Sequence, residues 1–157
     1  MLAALTRAVS LGAATPADAE ACSKLHAELF EPAWDRASFA SFFSHPAARG
    51  LVARSIAPAQ TVGFVVGQMA ADEAEVLTLA VSREARRQGI ATRLIEALAE
   101  TARAAGARVL YLEVAAENTA ALALYRKLRF TERGRRLGYY VRANAPPADA
   151  VTCALAL

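Results

Sequence analysis

Between positions 90 and 102 the apolar residues fall at Ile90, Leu94, Ile95, Leu98 and Ala102, while Arg93, Glu96, Glu100 and Arg103 take positions between and beyond them. That spacing keeps the apolar side chains on one face of a helix, so a helix is predicted over 89–105, stopped by Gly106. Thr15-Pro16-Ala17-Asp18 reads as an N-cap with proline at the first helical position, opening a helix that runs to about Phe30 before Pro32 breaks it. Trp34-Asp35-Arg36 leads into a shorter helix carrying Phe39, Phe42 and Phe43 until His45-Pro46. A fourth helix is predicted over 118–128. Apolar runs bounded by turn residues predict strands over 5–11, 51–56, 62–69, 75–81, 108–114, 130–136 and 150–157. Antiparallel strands followed by strand, helix, strand, helix predict an α/β fold: a mixed, mostly antiparallel central sheet of six to seven strands with helices on both faces.

The 157 residues fit one domain spanning 1–157, and 55% hydrophobic against 21% charged residues gives no sign of disorder. No apolar stretch approaches the roughly 18 residues of a membrane span; the nearest, 62–71, is interrupted by Gly63, Gly67 and Gln68. Residues 1–14 carry Arg7 and read as a first strand rather than a secretory signal. Cys22 and Cys153 lie far apart, outside any metal or redox spacing, and read as small core residues of a reduced, cytoplasmic protein. His26 and His45 have no metal-ligating partner by spacing, and no metal is expected. The net charge is +3, and Arg126, Lys127, Arg129, Arg133, Arg135 and Arg136 cluster near one another. Such a cluster reads as a solvated face that can steer toward a ribosome-like partner, rather than as a direct nucleic-acid site.

The chemistry concentrates where the strand ending Leu79-Ala80-Val81 runs into Arg86-Arg87-Gln88-Gly89-Ile90-Ala91-Thr92 and a helix begins. Backbone N–H groups of 87–92 at a helix start, with the helix dipole behind them, form a site for a diphosphate, and Gly89 and Ala91 allow close approach. An ordinary strand-to-helix turn with exposed arginines would look similar. There is no Walker loop and no G-x-G-x-x-G.

From about Leu77 to Phe130 the chain resembles the GNAT superfamily of acetyltransferases. Arg86 to Ala91 is similar to its R/Q-x-x-G-x-G/A loop, and Asn118 with Ala121-Leu122-Ala123-Leu124-Tyr125 and Phe130 is similar to its N-x-x-A-x-x-L-Y-x-x-x-G-F segment. Leu112-Glu113-Val114, Tyr139-Tyr140, Asp149-Ala150-Val151 and Trp34-Asp35 extend the resemblance toward the bacterial ribosomal-protein alanine N-acetyltransferases. This implies acetyl-CoA as cosubstrate and the N-terminal amine of a ribosomal protein as acceptor, with a small-molecule amine or a lysine side chain as the alternative. A non-catalytic acyl-CoA-binding module is the reading of another class. Arg129 stands where the family has glycine, so a left-handed backbone there would cost about 1 kcal/mol.

An acetyl transfer needs a neutral amine and a stabilised thiolate. Glu113, grouped with Val109 and Tyr111 on one strand face, is the candidate general base; the alternative is a solvent-facing carboxylate. Tyr125 is the candidate acid toward the thiolate, or else an aromatic filling the core beside Leu122 and Leu128. Asn118 is an N-cap, a cofactor contact, or both, and the backbone of Leu79, Ala80 and Val81 would pair with the pantetheine arm. Trp34, Tyr139 and Tyr140 are candidates for the acceptor cleft, or core and rim residues. An α-amine, with a reference pKa of about 7.7–8.0 against about 10.4 for lysine, suits a modest base.

Overall fold

The computed structural model describes residues 8–157. Their strands form one seven-stranded sheet in the order β1-β2-β3-β4-β5-β7-β6. These are β1 (Val9–Ala13), β2 (Ala48–Ile56), β3 (Ala59–Ala70), β4 (Glu73–Val81), β5 (Val109–Ala115), β6 (Thr131–Tyr140) and β7 (Ala148–Ala156). The helices are α1 (Ala19–Leu29), α2 (Arg36–Ser44), α3 (Ile90–Ala104) and α4 (Thr119–Lys127). Only β4 and β5 pair in parallel; every other neighbouring pair is antiparallel. The first strand lies later than expected, and positions 5–7 of the expected range fall outside the described residues.

Strand β3 organises both faces of the sheet. Phe64 and Val66 point to one side, where they pack with Cys22 and Leu25 of α1 and Phe39 of α2. Val65 points to the other, with Leu94 and Leu98 of α3. The glycines between them seat α3: a Cβ at Gly67 would stand 2.9 Å from Leu98, and one at Gly63 would stand 3.3 Å from both Ile90 and Leu94. Fully buried leucines such as these contribute roughly 1.5–3 kcal/mol each, so the depth of α3 against the sheet is firmly set.

Local chemistry fixes the helix starts. Thr15 and Asp18 form a reciprocal capping box ahead of α1. The Asp35 carboxylate accepts from Ser38 N at 2.8 Å, and Asn118 Oδ1 accepts from Ala121 N at 3.1 Å. Both cysteines are free and buried, and burial pushes the Cys22 thiol up to about 12, which makes it an inert core group. No helix among the described residues is long and apolar enough to cross a membrane.

Candidate active site

After β4, a short 3-10 turn over Arg83–Ala85 leads to two left-handed residues, Arg87 at φ 61° and Gly89 at φ 74°. Turns of this kind aim successive N–H groups into one concavity. Gly89 is the N-cap of α3 and supplies no side-chain acceptor, so the first-turn amides of this 15-residue helix stay available. A Cβ at Gly89 would meet nothing within 4 Å, which leaves the backbone open to a ligand. The Gln88 amide oxygen is buried without a partner, an orphaned polar group beside the same amides.

Opposite the loop stands one face of α4. Arg86, Arg87, Gly89, Ala120, Leu124 and Lys127 line a cleft of about 430 Å³ that has three cations and no carboxylate on its walls. A diphosphate fits this donor set by charge and by hydrogen bonding. The sequence places Lys127 in a solvated basic cluster, whereas the structure sets it on the wall with Ala120 and Leu124, and the spacing 120, 124, 127 on a helix that follows Asn118 is the signal for it.

Next to this cleft the sheet parts. Strands β4 and β5 pair only through Glu73–Val109, Ala74–Leu110 and Glu75–Tyr111. Immediately beyond, β4 carries an extra residue, Leu77, between its partners on β3, since Val66 pairs with Thr78 and Gly67 with Val76. A bulge bends its strand and sharpens the twist, so β4 swings away from β5. Leu79, Ala80 and Val81 are paired with β3 on one edge, and among the described residues no strand lies against the other. The free edge offers backbone donors and acceptors to an extended amide-bearing ligand, as an added strand would be received.

On the sheet face opposite α3 and α4, Gln68, Glu73, Glu75, Tyr111, Glu113 and Arg136 line a second cavity of about 300 Å³. Glu113 lies two residues past the last β4–β5 pair and shares its face with Tyr111, as the alternation in β5 requires. Arg136 Nη2 approaches Glu113 Oε1 at 3.2 Å, and its guanidinium lies 5.1 Å from the centre of the Tyr139 ring. Arg135 meets Asp149 at 3.6 Å. These two arginines are therefore committed to carboxylates rather than forming only a solvated face. Gln68 also lines a third cavity, of about 460 Å³, along α2 with Asp35, Ser38, Ser41 and His45.

Tyr125 is buried in the α4 face of the core and packs on Phe130, ring centres 5.6 Å apart. Burial, with smaller effects from Cys153 and Tyr140, pushes its phenol up to about 12. Tyr140 is also held above the usual phenol range, by burial first and then by Glu113 and Tyr139, against the pull of Arg136. Trp34 sits elsewhere: its ring stacks on Phe42 at 4.9 Å and on His26 at 5.4 Å, its backbone N–H donates to His26 Nδ1 at 3.0 Å, and it does not line the Glu113 cavity. Its role here is to fasten the connection between α1 and α2. Among the described residues no three His, Cys, Asp or Glu side chains are grouped as a metal ion needs.

Comparison with known proteins agrees with this geometry. The model of the acetyltransferase (GNAT) family matches residues 19–130. The chain is 37% identical over 94% of its length to the N-alpha-acetyltransferase RimI of Mycobacterium tuberculosis, covering 92% of that protein. It is 35% identical over 73% of its length to the [ribosomal protein bS18]-alanine N-acetyltransferase of Salmonella typhimurium, covering 77% of that protein. The crystal structure of the ribosomal-protein-S18-alanine N-acetyltransferase from Escherichia coli superimposes with a TM-score of 0.86 at 28% identity, covering 95% of this chain and 94% of that one. With an amide-lined cationic cleft, a parted β4–β5 edge and a matching family model over most of its length, the chain belongs to the GNAT family of acetyl-CoA-dependent N-acetyltransferases.

Proposed function

We propose that the chain acts in the cytoplasm and transfers the acetyl group of acetyl-CoA to the N-terminal α-amine of a ribosomal protein, one that begins with alanine. The observation that carries this reading is the cationic cleft on one face of the sheet and the Glu113 cavity on the other, with β4 and β5 unpaired past Glu75 and Tyr111. The names of the two relatives and of the Escherichia coli structure supply the acceptor class.

In this reading the amides from Arg87 to Thr92 hold the diphosphate, with Arg86, Arg87 and Lys127 balancing its charge and Gln88 beside it. The free edge of Leu79, Ala80 and Val81 receives the pantetheine amides, and Asn118 caps α4 beside them. Glu113 takes the proton from the acceptor amine, directly or through one water, as the nitrogen attacks the thioester carbonyl. Tyr125 faces the departing sulfur. An ordinary thiol titrates near 8.5, well below this phenol at about 12, so Tyr125 keeps its proton and stabilises the thiolate as a hydrogen-bond donor. Tyr139 and Tyr140 flank the acceptor's entry to Glu113. An α-amine is neutral in a far larger fraction than a lysine at pH 7, by roughly two pK units or more, so one carboxylate suffices.

Intact-mass analysis of purified small-subunit ribosomal proteins incubated with the enzyme and acetyl-CoA tests the reading. One added acetyl group on one N-terminus is the expected result. A full set of unmodified termini, with acetylation only of lysine or small amines, would overturn the acceptor assignment.

A further inference from the structure

We infer that Arg136 is a positioning residue for the acceptor half of the reaction: it holds the Glu113 carboxylate by one oxygen, is itself held against the Tyr139 ring, and so couples the β6–β7 arm to the base. This rests on the acetyl-transfer reading of the site and deepens it.

The register shows why Arg136, and not its neighbour Arg135, can do so. Glu113 pairs with Thr152 of β7, and Arg136 pairs with Ala150 of the same strand, so all four residues share one sheet face. β7 lies between β5 and β6. A long side chain on β6 must cross β7 to reach β5, and the strand offers Ala150, small and fully buried, at the crossing point. Arg135, one residue earlier, faces the other way and pairs with Asp149 instead.

A second feature brings Tyr139 into place. Simple alternation would put residues 136 and 139 on opposite faces of β6, but the register slips between Arg136 and Tyr140. There Gly138, at φ 60°, donates its N–H to Asp149 Oδ1 at 2.9 Å. The slip turns the Tyr139 ring to the Arg136 guanidinium at 5.1 Å, within the distance of a favourable cation–π contact. Glu113, Arg136 and Tyr139 therefore form a chain of the kind in which a base is oriented by a second group and that group by a third. An exposed ion pair adds little stability, and with the Arg136 side chain 60% exposed and that of Glu113 21% exposed the value of the pair lies in direction. The contact runs through Glu113 Oε1; the proton leaving the amine goes to the other carboxylate oxygen, and Arg136 stays charged throughout.

The test compares wild type, Arg136→Gln, Arg136→Lys, Glu113→Gln and the double variant Glu113→Gln with Arg136→Gln. Each is assayed on an alanine-initiated peptide with a free N-terminus and on a blocked, lysine-bearing peptide. Arg136→Gln is expected to lower kcat at least tenfold while the calorimetric Kd for CoA stays within twofold of wild type. Arg136→Lys, which can still reach the carboxylate, should recover part of the loss. In the Glu113→Gln background the same Arg136→Gln change should cost less than twofold. A kcat within twofold of wild type in Arg136→Gln, or an equal loss with and without the Glu113 carboxylate, would overturn the proposal. Reaction of the lysine peptide alone would remove the acceptor assignment and leave the coupling measurable on that peptide; turnover of neither by wild type would sink both.

Discussion

Replacing Gly89 by alanine separates two things the loop does. The residue sits at φ 74°, where a side chain bearing a Cβ costs about 1 kcal/mol. Since the added Cβ would meet nothing within 4 Å, no clash adds to that strain. The expected stability loss is therefore about 1 kcal/mol, a fall in Tm of roughly 2–4 °C for a chain of this size. Gly106 supplies the control: it lies just past the other end of α3 at φ 96°, and a Cβ there also meets nothing within 4 Å. Gly106→Ala should lose a similar amount of stability and keep its CoA affinity. Gly89→Ala should lose the same stability and also bind CoA at least tenfold more weakly, about 1.4 kcal/mol, because its methyl group would take up open space at a residue lining the cleft offered to the diphosphate. Thermal unfolding and calorimetric titration with CoA measure the two quantities side by side. Equal CoA affinity in the two variants would refute the placement of the diphosphate.

Three further outcomes are expected. Tyr125→Phe should lower kcat on the order of 100-fold with little change in CoA affinity; burial raises the folded pKa from 10.0 to about 12, so the phenol contributes stability below pH 10 that is lost as pH rises toward 12, and alkaline unfolding curves should flatten in the phenylalanine variant. His26 is held below its ordinary 6.5 by burial and accepts from Trp34 N; stability should be whole above pH 6.5 and decline as pH falls through the folded value, and His26→Asn should show a weaker decline in pH-dependent denaturation. Arg129→Gly, which relieves φ 70°, should raise Tm by roughly 2–4 °C, about 1 kcal/mol, with calorimetric CoA binding unchanged.

Helix α3 was legible because its apolar face repeats at helical spacing and Gly106 ends it. The left-handed backbone at Arg129 was legible too, since the residue occupies a glycine position of a familiar segment. Strand β6 was read too short, at 130–136 against Thr131–Tyr140, because it is an edge strand with almost every residue exposed and so carries no alternation of apolar and polar positions. The separation of β4 from β5 was not legible either. It depends on a bulge at Leu77, and a bulge is a property of two paired strands, whereas the sequence of β4 alone reads as an uninterrupted strand. The partners of Arg135 and Arg136 were hidden for the same reason: their carboxylates arrive from β7 and β5, which the sequence places at least 13 residues away.

The three-pair seam between β4 and β5 makes the sheet a wall with a window in it. In the proposed reading a long donor threaded from the helix α3 side ends at this seam, and Glu113 stands on the opposite face two residues past the last pair. In that reading neither guest crosses the doorway of the other, so both would be seated together and the acyl group would pass straight between them with no stop on the protein.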